Sequence, residues 1–407
     1  MRAQLFYAVY VPTFILSFCQ GMLALLLPVY VIDLGLSFSL IGIVLGSYGI
    51  GTLIGDLPAG VIQDRIDNRL SMIIGICVMG LGMLALSLSM QFITLVMCGI
   101  SIGAGAALWN VSRHAYLANN TLNASRGRAI SIFGGVNRIG MFAGPITGGY
   151  LSAEIGMHTT FAFCGFVALL ALIFPLMFVH DSLAEVSSRQ RTSMALSYRR
   201  MFSYLRRNVW QITPAGFGMI CAQTIRAGRQ SIIPLYAASI LGLEVDRIGL
   251  VMGTAAAVDM SMFYPAGLVM DRFGRKFAYV PSFLLQGLGM ALIPLTGSFA
   301  ALLAVTSLIG FGNGLGSGTM LTLGADLAPP KGEGMGAFLG LWRLIGDTGH
   351  TSAPIIVGTI ADALSLVPSI YVIAVIGLGA GSILGLFVPE TLKKGTTAGA
   401  EPAATGG

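Results

Sequence analysis

The chain has 407 residues, 55% of them hydrophobic and only 10% charged, and its mean hydropathy is +0.83. So few charges cannot cover a water-facing surface, which excludes a soluble enzyme and places the chain in a bilayer. The net charge of +6 calls for no nucleic-acid partner, because the distribution of basic residues set out below accounts for it.

Apolar runs near the ~20 residues needed to cross the hydrocarbon fall at 5–30, 39–62, 70–90, 92–118, 128–152, 159–180, 209–236, 247–270, 277–297, 299–326, 334–361 and 366–388. None alternates in polarity as a β-barrel strand does, so each is read as a helix. The first run is too long for a signal peptide and has no small-residue cleavage site, so it is expected to be retained. The fold class is then an all-α membrane protein with twelve transmembrane helices.

Between the sixth and seventh runs lies one long polar stretch, 181–208, containing Ser187-Ser188-Arg189-Gln190-Arg191 and Tyr198-Arg199-Arg200. It reads either as an amphipathic surface helix or as a solvated linker. It divides the chain into a first half, 1–180, and a second, 209–390. The tail 391–407, rich in Gly, Ala, Thr and Pro, is expected to be disordered. All five cysteines (Cys19, Cys77, Cys98, Cys164, Cys221) sit inside apolar runs, which supports neither a disulfide frame nor a metal site. No Walker loop is present, and no cofactor is expected.

With the N-terminus on the cytoplasmic side, seventeen Lys and Arg fall on inner loops and only Arg247 on an outer one. Under the positive-inside rule both termini are cytoplasmic, in a plasma (inner) membrane protein whose basic rim attracts anionic lipid. A monomer is the expected unit.

The two halves repeat one another. Gly60-Val-Ile-Gln-Asp64-Arg65-Ile-Asp67-Asn68-Arg69 recurs 207 residues later as Gly267-Leu-Val-Met-Asp271-Arg272-Phe-Gly274-Arg275-Lys276, each copy following a Pro-Ala pair at the end of an apolar run. This duplicated turn resembles motif A of the major facilitator superfamily. The second copy matches fully, whereas the first has Asp67 and Asn68 where Gly and Arg are usual. A further segment, Gly140-Met-Phe-Ala-Gly144-Pro145-Ile-Thr-Gly148-Gly149, is similar to a motif of the superfamily's twelve-span drug:proton antiporter branch. The resemblance implies two pseudo-symmetric six-helix bundles, alternating access and proton-coupled efflux. One departure stands in the fourth span, where Gly99 occupies the usual arginine position of the antiporter branch and the arginine comes later, as Arg113.

The motifs also have a direct physical reading. Helix N-terminal dipoles beside the turns favour carboxylates. Asp64 is therefore expected to lean on the start of span 11 and Asp271 on the start of span 5. Arg272 is then left to pair with Asp326, and these contacts would gate the cytoplasmic side. Gly140, Gly144 and Gly148 put bare backbone on one helix face and Pro145 bends the helix, which predicts either close packing against the opposite bundle or ordinary small-residue packing.

Ionisable residues inside the spans must face a cavity or a partner, since each costs a few kcal/mol in hydrocarbon. They are Asp56, Arg113, Arg138, Arg226, Arg229, Asp259, Arg343 and Asp347. Asp259 has no base nearby in sequence and is the leading proton carrier, with Asp347 and Asp56 behind it. Arg343 and Asp347, one turn apart, are expected to pair, and Asp56 to pair with Arg113 or Arg138. Arg138 and Arg343, related by the duplication, either bind an anionic substrate or serve as structural pairs. His114 and His350 are lesser proton-coupling candidates. Trp109 and Trp342, with Tyr10, Phe14, Tyr30, Phe217, Tyr236 and Phe338, are the candidates for aromatic lining, more than half of them expected only to pack or to face lipid. The overall expectation is a proton-coupled exporter of a small amphiphilic, drug-like compound. An organic-anion permease or a lipid flippase of the same fold is the alternative, and an enzyme is excluded by the lack of any nucleophile, metal or cofactor arrangement.

Overall fold

The computed structural model describes residues 5–63, 67–121, 123–179, 194–329 and 335–392, and these are helical apart from short connections. In the first half the helices are α1 (Phe6–Asp33), α2 (Phe38–Gln63), α3 (Asn68–Leu86), α4 (Phe92–Asn119), α5 (Asn123–Ile155) and α6 (Met157–Phe178). An amphipathic helix α7 (Met194–Arg207) lies in the polar stretch. The second half contains α8 (Val209–Ser239), α9 (Val245–Arg272), α10 (Lys276–Leu295), α11 (Phe299–Asp326), α12 (Met335–Ala363) and α13 (Leu366–Phe387).

Nine of these helices, within the described residues, are long and apolar enough to cross a membrane. The other three long helices, α5, α8 and α12, run to 33, 31 and 29 residues but carry Arg138, Arg226 with Arg229, and Arg343 with Asp347. Their polarity belongs to the site described below. Helix is the conformation that satisfies the backbone without water; Pro28, Pro145, Pro214, Pro234, Pro281 and Pro354 each remove one such hydrogen bond inside a helix, which membrane helices tolerate where neighbouring groups or local adjustment take up the freed carbonyl.

Duplication in the sequence reappears as duplicated contacts. Tyr30 donates to the Ser89 carbonyl at 2.7 Å, and Tyr236, 206 residues on, donates to the Thr296 carbonyl at 2.8 Å. Arg69 donates to the Leu176 carbonyl at 2.6 Å, and Lys276 donates to the Gly385 carbonyl at 2.8 Å.

The halves meet along two antiparallel seams, α2 with α12 and α5 with α9. A Cβ added at Gly42 would lie 2.5 Å from the Pro354 carbonyl oxygen, and one added at Gly249 would lie 2.5 Å from that of Pro145. Gly42 and Gly249 are 207 residues apart, so the two seams are copies of one contact. Small residues allow this backbone approach, which dispersion then rewards. The antiparallel register brings the start of α5 alongside the end of α9, so both charged turns lie at one end of the molecule. Helix α7 lies there too, through a Tyr204 hydrogen bond to the Leu327 carbonyl at 3.1 Å. We call this the linker end and the opposite one the far end.

Of the two packings expected for the span 5 glycines, the one against the opposite bundle is corrected for three of them. Gly140, Gly144 and Gly148 pack against α1 of their own half, at Ser17, Phe18, Gly21 and Met22. Of this motif's glycines only Gly149 faces the other half, at Val245, Asp246 and Gly249. The reason is helical phase: Gly149 is one residue, about 100°, round from the stripe at 140, 144 and 148.

Candidate functional site

Toward the linker end the α5–α9 seam gives way. At Gly134 an added Cβ would meet only the tip of Phe263, at 3.8 Å, and at Gly135 it would meet nothing within 4 Å. Between the halves lies a cavity of about 730 Å³ whose lining includes Arg113, Arg138, Arg226, Arg229 and Asp259. A second compartment of about 350 Å³ shares Ala24, Asn137, Met141, Gln230 and His350 with the first. Its own lining, with Leu23, Leu27, Pro28, Leu45, Ile102 and Pro354, is largely apolar.

An ion pair joins the halves at the cavity wall. Arg138 on α5 is 3.0 Å from Asp259 on α9, with side chains 23% and 14% exposed. The other Asp259 oxygen accepts from Asn313 Nδ2 at 2.9 Å, and Arg138 donates to Ser317 Oγ at 2.6 Å. The base that sequence proximity does not supply to Asp259 is Arg138, 121 residues away, which arrives through the seam. The expectation for Asp56 is corrected. It pairs neither with Arg113 nor with Arg138 but with Arg343 across the other seam, at 3.2 Å. Arg343 also reaches Asp347, at a longer 3.7 Å, as the one-turn spacing predicts. The two cross-seam pairs echo one another without coinciding: Asp56 and Asp259 are 203 residues apart and Arg138 and Arg343 are 205 apart, against the 207 that separates Gly42 from Gly249, so the acids stand about one helical turn out of register. Of the two arginines only Arg138 lines the cavity; Arg343 does not.

Arg113, Arg226 and Arg229 are held differently. Arg113 is only 8% exposed, and its guanidinium lies 4.2 Å from the centre of the Phe133 ring and 5.8 Å from that of Trp109. Arg226 donates to Gln223 at 3.2 Å and to the Gly316 carbonyl at 2.8 Å, and lies 5.3 Å from the Phe283 ring centre. Among the described residues none of the three forms an ion pair, and the Nε of each is buried without a hydrogen-bond partner. His114, which lines the cavity, has its Nδ1 2.6 Å from the Asn110 carbonyl oxygen.

The predicted aromatic lining is corrected. None of Tyr10, Phe14, Tyr30, Trp109, Phe217, Tyr236, Phe338 and Trp342 lines either compartment; the aromatic side chains there are Tyr48, Phe133 and Phe263. Trp342 is buried against Phe338 and donates to the Met320 carbonyl at 2.9 Å, while Trp109 is buried beneath Arg113. Hydrophobic bulk alone does not distinguish a cavity wall from a helix interface.

At the second charged turn, Gly274 adopts φ +123°, a conformation open to glycine, and so turns Arg275 back over the helix end. Arg275, rather than the expected Arg272, reaches Asp326 at 3.4 Å. Arg272 instead lies over the Phe273 ring. Asp271, expected at the start of α5, is 81% exposed and pairs with Arg275 at 3.1 Å. Sequence reading missed Glu390, whose carboxylate accepts the backbone N–H of Arg275 at 2.9 Å and of Lys276 at 3.0 Å. In the first copy, Asp64 and Arg65 lie outside the described residues, as do the side chains along the start of α5.

The family model of the Major Facilitator Superfamily matches residues 9–346 and 215–405. The chain belongs to this superfamily. An uncharacterized transporter of the same type from Methanocaldococcus jannaschii is 22% identical over 334 residues, 82% of this chain and 86% of that one. The quinolone resistance protein NorA of Staphylococcus aureus is 23% identical over 188 residues, about half of either protein. Among solved structures, a D-xylose-proton symporter superposes with a TM-score of 0.73 at 18% identity, covering 94% of this chain and 98% of the other. A POT family transporter in complex with 5-aminolevulinic acid gives 0.76 at 16% identity over 96% of each. At such identities the structures show a shared fold. Membership makes the protein an integral membrane transporter and not an enzyme.

Proposed function

We propose that the protein is a proton-coupled secondary transporter that exports a small amphiphilic compound by alternating access. In this reading twelve spans form two six-helix lobes, 1–180 and 209–390, joined by the cytoplasmic linker 181–208. The working unit is a monomer in the plasma membrane with both termini cytoplasmic, and the linker end is the cytoplasmic end. The lobes rock about the central cavity.

The observation that carries the reading is the Arg138–Asp259 pair, which ties one lobe to the other at the edge of the cavity. Protonation of Asp259 would remove the charge that holds Arg138, so a proton and a movement of the lobes are coupled at one bond. Export is favoured by the span 5 motif and by the likeness to a quinolone resistance protein. The cavity's arginine surplus favours a second reading, transport of an organic anion.

Purified protein in liposomes with an imposed pH gradient tests the first reading. Addition of a panel of amphiphilic cations, acids and neutral compounds should produce proton flux with at least one of them, and Asp259→Asn should abolish it. Undiminished substrate-induced proton flux in Asp259→Asn would remove Asp259 from the coupling.

A further inference from the structure

Four guanidinium groups and one carboxylate line the larger compartment, and that carboxylate is already engaged on both oxygens by Arg138 and Asn313. Arg113, Arg226 and Arg229 therefore hold buried positive charge that no described acid neutralises at contact. Three of the ten buried side-chain polar atoms without partners among the described residues are the Nε donors of those arginines. A buried cation left this way is costly unless something with lone pairs completes it. Carboxylate, phosphate and sulfonate oxygens meet guanidinium forks in charge-assisted, often bidentate bonds, which an amine or alcohol does not supply.

Polarity also changes along the cavity. The arginine wall passes at Asn137 and Gln230 into the compartment lined by Leu23, Leu27, Leu45 and Ile102. An acid head and an apolar body would fit these two regions in that order. Arg113 stands on α4 of the first half, and Arg226 and Arg229 stand on α8 of the second, so one anion would draw both halves together.

From this wall we infer that the ligand is an amphiphile with an acidic head, held between Arg113 and the Arg226–Arg229 pair, with its apolar body lying toward the far end. The inference rests on the cavity being the transport site and specifies what enters it.

Binding is measured with protein in neutral-lipid nanodiscs by intrinsic tryptophan fluorescence, Trp109 lying 5.8 Å from the Arg113 guanidinium. The probes are decanoate, decyl phosphate, lysophosphatidate, decylamine, decanol and inorganic phosphate. The acidic amphiphiles are expected to bind at least tenfold more tightly than decylamine, decanol or inorganic phosphate. Arg226→Gln and Arg229→Gln should each weaken acid binding about tenfold and leave decanol unchanged, while Arg229→Lys should restore most of the loss. Binding of the free acids identifies a soluble ligand, and binding of lysophosphatidate alone identifies a lipid headgroup; both uphold the inference. Equal binding of decylamine or decanol, binding of inorganic phosphate as strong as that of decyl phosphate, or full acid affinity in the glutamine variants overturns it. The ranking of heads on the unaltered protein stands even if a variant fails to fold. Proton-driven flux of decylamine without acid binding would overturn this inference and leave the transport reading intact. Acid binding without flux of any compound would do the reverse.

Discussion

Gly249→Ala offers a direct test of the seam. The added methyl would sit 2.5 Å from the Pro145 carbonyl oxygen, about 0.9 Å short of the 3.4 Å at which ordinary contact begins. Backbone forms the obstacle, so no rotamer change relieves it, although the Leu25 methyl at 3.2 Å can turn aside. Overpacking of this kind costs about 1–3 kcal/mol, and here the cost falls on the state in which α5 and α9 are pressed together. At about 2 kcal/mol the equilibrium between far-end-closed and far-end-open forms shifts roughly 30-fold. Spin labels at Glu154→Cys and Leu364→Cys, in a Cys77→Ser background that leaves only buried cysteines, report the far-end separation. Gly249→Ala should add a population at longer distance, and Gly42→Ala, its duplicate against Pro354, should do the same. Gly144→Ala presses on Phe18 of its own half and should lower stability without moving that distribution. An unchanged distribution in Gly249→Ala, or the same change in Gly144→Ala, would refute the reasoning.

Other substitutions separate the remaining roles. Removing either partner of the less exposed Arg138–Asp259 pair should cost a few kcal/mol, whereas Arg343→Gln, whose side chain is 41% exposed, should cost about 1 kcal/mol or less. A double-mutant cycle on Arg138→Gln and Asp259→Asn by thermal unfolding should show strong non-additivity; additive losses would mean the pair does not act as a unit. Glu390 is partly buried, which alone would raise its pKa, but backbone N–H groups of Leu392, Lys276 and Arg275 outweigh that and hold it below the usual glutamate range. Its stabilisation is therefore full above that range and is lost as pH falls through the lowered value. Glu390→Gln should reduce Tm at neutral pH, by no more than about 1 kcal/mol in stability because the carboxylate is largely exposed, with the gap to wild type closing in acid. A gap that widens in acid would reverse the assignment. Trp342→Ala should destabilise by about 3–5 kcal/mol, because it empties a packed interface. Were Trp342 instead to contact substrate, Trp342→Phe would raise KM at unchanged Tm.

Much of this was legible in the sequence, and the limits have physical causes. Helices and repeat were readable because hydrocarbon imposes length and polarity on each span separately. The Arg343–Asp347 contact was readable because one turn of helix fixes it. Asp259 with Arg138, and Asp56 with Arg343, were not, since each pair forms across a seam between residues 121 and 287 apart. The glycine stripe was visible while its partner was not, because small residues announce close packing without saying which helix comes close. Arg275 displaced Arg272 at Asp326 through the positive φ of Gly274, and a motif's residue types do not specify such a dihedral. Glu390 lay just past the last apolar run, where composition suggested only a tail.

The sidedness of the two charged turns in a membrane tests the central claim most directly. Leu70→Cys and Phe273→Cys, both at exposed positions beside the turns, are labelled with a membrane-impermeant maleimide in intact cells and in inside-out vesicles. A duplicated body with parallel halves predicts that both sites are shielded in cells and both react in the vesicles. Reaction of one site from each face would contradict it.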